Sequence, residues 1–239
     1  SNKKVIDGTT LYPRMYGDDG WYAFAPGPWS EGALECYFWT FEPHDHARVS
    51  GNSWIAYLDG KNPGFPESAL RGDLATIRQK IAGMRADETT PDTRLADDPM
   101  KFNPATVGTL RQLMMAGLDP GRGAAPLHCR LRYFDPLRRR AGVPEDVAAL
   151  IDKMTADQVH VTLVNTNQLT ARTLVVQTGA YGEHQCTRVT LGGAATAVEG
   201  PAFTVVLAPG AGAQLTIETD RYVNQPTLVF PWDRWKIRN

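Results

Sequence analysis

The chain has 239 residues, 42% of them hydrophobic and 21% charged, with a formal net charge of −1. That near-neutral balance excludes a dedicated nucleic-acid or membrane-surface binder, whose affinity rests on a strong basic excess, so neither nucleic acid nor membrane is an expected partner. The length allows one large domain or two small ones, and the three scattered cysteines, Cys36, Cys129 and Cys186, signal neither a zinc site nor a disulfide framework.

In chain order, the first informative stretch is "YGDDGWYAFAPGPWSEGALE", residues 16–35. From Met15 to Ala47 there is no lysine or arginine, while Asp18, Asp19, Glu31, Glu35, Glu42 and Asp45 all fall there. Residues 16–41 hold nine of the chain's twenty-two aromatics, far more than their share of its length. A helix is predicted over 30–41, with Ser30 as N-cap and Ala33, Leu34, Tyr37, Phe38 and Phe41 on one stripe. Glu31, Glu35 and Trp39 then lie along the adjacent face at i, i+4 and i+8.

Carboxylates beside tryptophan and tyrosine are what glycoside chemistry requires. One acid protonates a leaving oxygen, a second acts as base or nucleophile, and aromatic faces stack on the sugar. On this pattern Asp18, Asp19, Glu31 and Glu35 are the candidate catalytic residues, and Trp21, Tyr22, Trp29 and Trp39 the candidate substrate-binding ones. The same residues also read as a loop packing onto a helix, with Asp18 and Glu31 as caps or solvated groups. "PHDHA" adds His44 and His46, which in an extended segment project to one side and could hold a divalent metal. Glu183 and His184 of "YGEHQ" are a candidate pair to complete such a site. No other cofactor is expected: Walker, GxGxxG, GxSxG and HExxH motifs do not occur.

Further helices are predicted at "GNSWIAYLDG", closed by Gly60, and from Pro66, where Leu70, Leu74, Ile77, Ile81 and Met84 form one stripe. "NPATVGTLRQLMMAG" predicts another, capped by Asn103, opened by Pro104, with Val107, Leu110 and Met114 inward and Gly117 at its end. Between them, "PDTRLADDP" reads as a salt-bridged loop containing Asp92, Arg94, Asp97 and Asp98. After residue 125 the period becomes two. "LHCRLRYF" alternates, a short helix is expected at "PEDVAALIDKM", and strands follow at "QVHVTLVN", "RTLVVQTG", "CTRVTLG", "FTVVLAPG" and "AQLTIETD". The arginines of "RLRYFDPLRRR" read as a solvated surface with internal ion pairs. No apolar run approaches the roughly 18 residues that cross a bilayer, so a soluble chain, cytoplasmic or exported, is expected.

The expected fold class is α+β: a helical domain over 1–125, then an antiparallel β-sandwich over 126–239. "TTPDTRLADDPMKFNPATVGTL", "RYFDPLRRRAGVPEDVAAL", "VVQTGAYGEHQ" and "RYVNQPTLVFPWD" resemble the C-terminal region of large bacterial proteins. Helical pairs followed by a β-sandwich are similar to the end of α/α-toroid enzymes, among them polysaccharide lyases, glycoside hydrolases and, more distantly, linalool dehydratase-isomerase-like proteins. The resemblance matches no catalytic motif residue by residue. It implies a partial toroid, completed by a missing helical portion of the same protein or by another subunit. The leading functional expectation is a carbohydrate-active enzyme, hydrolase or lyase, or the C-terminal segment of one, acting on a saccharide or other small molecule. The alternatives are a non-catalytic binding or assembly module and a terpenoid-type lyase.

Overall fold

The computed structural model describes residues 4–13, 23–26, 32–90, 103–118 and 126–237, with the backbone alone for 235–237. The chain divides into two compact units, Ser1–Ile55 and Ala56–Asn239. The expected change from helix to strand near residue 126 lies inside the second unit.

The first unit opens with a strand meander rather than a helix: β1 (Lys4–Ile6), β2 (Thr9–Pro13) and β3 (Phe24–Pro26) form one antiparallel sheet. Helix α1 (Ala33–Thr40) is shorter than predicted, with left-handed Gly32 at its N-cap and left-handed Phe41 closing it. The expected stripe is present: Ala33 and Phe38 are buried. Glu42 is extended ahead of Pro43, as a residue before proline must be, and α2 (Pro43–Val49) begins there. Helix α3 (Ser53–Leu58) carries the unit boundary, and Asn52 caps it, its Oδ1 accepting from the amides of Trp54 and Ile55.

In the second unit, α4 (Phe65–Ala86) matches the predicted apolar stripe in length and register, yet none of its 22 residues is buried. Helix α5 (Gly108–Met115) starts four residues later than expected. Asn103 Oδ1 accepts from the Ala105 amide in a local turn instead of capping a helix. Its inward residue is Leu113, 2% exposed, whereas Val107 and Leu110, expected inside, are 58% and 43% exposed.

The strands form two antiparallel sheets, ordered β10-β9-β12-β7-β6 and β11-β8-β4-β5. The first sheet contains β6 (Val147–Met154), β7 (Gln158–Asn165), β9 (Gln185–Leu191), β10 (Ala194–Gly200) and β12 (Gly212–Asp220). The second contains β4 (Leu131–Asp135), β5 (Arg140–Ala141), β8 (Arg172–Thr178) and β11 (Ala202–Leu207). Alternation produces the core directly: Val159, Val161 and Leu163 of β7, Ile217 of β12, and Leu174 and Val176 of β8 are all at most 1% exposed. Buried Asn165 of β7 donates to the Leu207 carbonyl of β11, tying one sheet to the other. Helix α5 is stitched to β4 by Tyr133 Oη donating to the Met114 carbonyl at 2.6 Å and by the Arg130 amide donating to Met115.

One expected helix is a strand. "PEDVAALIDKM" forms β6, paired antiparallel with β7, with a register shift between Ile151 and Lys153. That bulge adds a residue at Asp152, so Ile151 and Met154 are both buried at a spacing of three. The strand therefore carries a helix-like apolar spacing.

Candidate functional site

Of the expected acid and aromatic residues, Asp18, Asp19, Trp21, Tyr22, Trp29 and Glu31 lie outside the described residues, as do Asp92, Arg94, Asp97 and Asp98. Glu35 occupies the first turn of α1 and is exposed, and Trp39, one turn on, is 50% exposed. The neighbouring rings serve as core. Phe38 packs against Trp54 with centroids 5.1 Å apart, and Tyr37 meets Phe41 at 5.0 Å and His46 at 5.1 Å.

The histidines are not in an extended segment. They sit two apart on α2, where a 100° turn per residue sends them to different sides. The exposed His44 lies 3.4 Å from Asp45, whose carboxylate accepts from Thr40 Oγ1 at 2.8 Å. No group of three or more His, Cys, Asp or Glu side chains able to hold a metal occurs among the described residues.

Glu183 and His184 belong instead to a buried polar loop between β8 and β9. The Glu183 carboxylate is folded back on its own backbone, accepting from the amides of Ala180 at 3.1 Å and Tyr181 at 2.7 Å. This turn requires its glycines. Gly179 has φ +81°, and a Cβ there would sit 2.4 Å from the Glu183 carboxyl carbon. Gly182 has φ +72°, and a Cβ would meet the Arg234 guanidinium at 2.6 Å. Around the turn, Arg132 donates to the Ala180 carbonyl, and the amides of Asn224 and Thr227 donate to Glu183 and Tyr181. Gln177 is fully buried, its Nε2 donating to the carbonyls of Gly179 and Ala180 and its Oε1 accepting from Arg234 at 2.6 Å.

His184, 1% exposed, accepts the Tyr222 amide at Nδ1 (3.1 Å), which places its proton on Nε2. Tyr222 holds a left-handed φ of 57°, and its ring meets the imidazole edge-on at 4.6 Å. Burial, and then the Arg130 cation, push the His184 pKa down to about 3, so the ring stays neutral. Arg130 was expected on a solvated face. It is 2% exposed and donates to the Ala156 carbonyl and Thr219 Oγ1. Its downstream neighbours do form ion pairs, Arg138 with Glu145 and Arg139 with Asp233 on the surface, and Arg140 with the buried Asp135. Burial raises the thiol pKa values of Cys129, at one end of this cluster, and of Cys186, the latter to about 12, so both stay protonated.

Beside this loop lies an open-sided groove of about 950 Å³ along edge strand β11 and the 224–234 segment. Phe203, Asn224, Gln225, Gln185, Glu199 and Arg234 are among its lining residues. The Asn224 amide donates to Gln185 Oε1 at 3.4 Å. Trp232, also at the groove, has Phe230 stacked on it at 5.0 Å and the Arg139 guanidinium 5.3 Å over its ring. Phe203 has no aromatic or cationic partner among the described residues. Sequence reasoning missed this groove, because its residues come from segments up to about a hundred positions apart. The local signal within reach was the paired glycines of "GAYGEHQ".

Residues 44–111 match the sequence model of a domain of unknown function, DUF8034, a span running from α2 into the first turn of α5. No curated protein matches the chain. No solved structure matches it.

Proposed function

We propose that this chain is the saccharide-handling part of a carbohydrate-active protein, with the groove on the second unit as a sugar-binding element. One observation carries the reading: Phe203, a ring with no aromatic or cationic partner among the described residues, lines an open groove together with the amides of Gln185, Asn224 and Gln225. A sugar presents an apolar C–H face and a rim of hydroxyls, which match an aromatic platform flanked by amide donors and acceptors. At about 950 Å³ the groove has room for a few sugar rings and is open to solvent along one side. Catalysis, hydrolytic or eliminative, belongs in this proposal to the acids of the first unit. Glu35, with Trp39 one turn along, is the member of that set among the described residues.

The test is a binding screen of the full chain against neutral and acidic oligosaccharides, followed by calorimetry or NMR shift mapping. Saccharide binding lost in Phe203→Ala, with the melting temperature retained, supports the reading. Folded protein that binds none of them sinks it.

A second reading is an assembly module, the helices forming part of an α/α toroid completed by other helices. The absence of any buried side chain on α4, with Leu74 and Met84 about half exposed, favours it. Sedimentation of this chain and of a longer parent polypeptide separates the cases. A monomer that stays monomeric beside any added helical segment removes the toroid.

A further inference from the structure

We infer that the groove selects an acidic saccharide, with the guanidinium of Arg234 receiving the sugar's carboxylate. The inference rests on the saccharide reading above and narrows it to a ligand class. Arg234 lines the groove, and its hydrogen bonds go to neutral acceptors, Nη2 to Gln177 Oε1 at 2.6 Å and Nε to the Val229 carbonyl at 3.3 Å. No carboxylate lies within 4.0 Å of it among the described residues. These two bonds fix the plane of the guanidinium and leave Nη1 without a hydrogen-bond acceptor in the described structure.

A second cation adds to the local excess. Arg132 donates Nη1 to the Ala180 carbonyl and stands over the Phe134 ring, also with no carboxylate in ion-pair range among the described residues. Glu183 is the buried acid nearby, and the Ala180 and Tyr181 amides occupy its two oxygens. Behind the groove's lining, Arg132 therefore adds a second guanidinium charge next to a Glu183 carboxylate that is already engaged. Burial, and then the Arg132 charge, lower the Arg234 pKa, and Glu183 offsets only part of this. Glu199, the acid on the groove's own lining, is exposed on β10, where solvent screens it. A half-buried, pre-oriented guanidinium beside a second cation suits a planar, bidentate anion better than a hydroxyl. With Phe203 on the same groove, that anion is the carboxylate of a uronate residue whose ring lies over the phenyl face.

The experiment compares ligands on the unaltered full chain. Tetrasaccharides of galacturonate, mannuronate and glucuronate are titrated by calorimetry, each beside the same tetrasaccharide with its carboxylates reduced to hydroxymethyl groups. The expected result is that at least one acidic form binds about tenfold or more tightly than its reduced counterpart, with the preference shrinking at high salt. Arg234→Gln removes the preference, and Arg234→Lys keeps charge without the fork and recovers only part of it. Acidic and reduced forms that bind equally overturn the inference and leave the saccharide reading standing. Binding of neither form, together with failure of every neutral oligosaccharide, overturns both. Because the decisive change is made in the ligand, a variant that fails to fold leaves the comparison intact.

Discussion

Two stretches of this chain gather acids, histidines, glycines and aromatics within a few residues, 32–46 and 177–185, and they end in opposite environments. In the first, Glu35, Trp39 and His44 face solvent. In the second, Gln177, Glu183 and His184 are all under 10% exposed. Residue type does not separate them; the backbone does. Helices α1 and α2 satisfy most of their amides and carbonyls internally, so of their polar side chains only Asp45 is buried, where it accepts from Thr40. The loop from Gly179 to His184 has no ladder of its own, and every buried backbone group there needs a partner. That need draws in Glu183, Arg132 and Gln177. Polar side chains are buried here where irregular backbone must be paired.

The sharpest test of this contrast is Glu183→Ala. It leaves the amides of Ala180 and Tyr181 without these acceptors and removes the carboxylate that partly offsets the charge around Arg234. The expected loss is about 3–5 kcal/mol by denaturant titration. A loss below about 1 kcal/mol means that the loop is held by something other than its carboxylate.

Two glycines with nearly the same backbone angle come next. Gly179 (φ +81°) and Gly32 (φ +76°) both lie in the left-handed region, but a Cβ at Gly32 meets nothing within 4 Å. Gly32→Ala should cost only the roughly 1–2 kcal/mol of a left-handed alanine. Gly179→Ala must in addition displace the Glu183 carboxylate, so its loss should approach that of Glu183→Ala. Equal melting temperatures for the two variants break the comparison.

The same contrast marks what was legible in the sequence. Strands β7, β8 and β12 and helix α4 follow from periodicity alone, because each has a regular ladder and one consistent face. Strand β6 was not legible, since the bulge at Asp152 gives it the apolar spacing of a helix. Edge strand β10, "AATAVEG", has no large apolar residue to alternate except Val198. Its usable signal was Gly192-Gly193, two positive-φ residues forming the two-residue hairpin loop from β9. Glu183 and His184 stood out in the sequence, but as metal ligands. Their actual partners include Arg130 and Tyr222, which lie about forty to fifty residues away on either side, and no local pattern encodes such encounters.

His184 gives an effect that is absent near neutral pH and grows with acidity. Its pKa is 6.5 when unfolded and about 3 in the fold, so the unfolded state binds the extra proton. The stability it contributes is fully present above pH 6.5 and is lost as pH falls toward 3, with a slope of up to about 1.4 kcal/mol per pH unit. His184→Gln should flatten the stability profile across that window and leave the shape above pH 7 unchanged. Parallel profiles for the two proteins mean that the imidazole is open to protons in the fold, contrary to its burial.

The smallest effect on folding is expected at Glu35. Its side chain is exposed on the first turn of α1, and Glu35→Gln keeps its shape while removing its charge. An acid near a helix N-terminus gains a few tenths of a kcal/mol from the dipole, so the melting temperature should barely move. Function is where this variant is informative. If the first unit carries the acid chemistry, saccharide turnover should fall by about 10²-fold or more while the protein stays folded. Rate and melting temperature are measured on one preparation, and Glu183→Ala serves as the opposite case, losing stability before rate per folded molecule. Should Glu35→Gln turn over at the wild-type rate, the exposed acid of α1 is a solvated helix charge, and the described part of the acid–aromatic stretch contributes packing, as Phe38 does against Trp54.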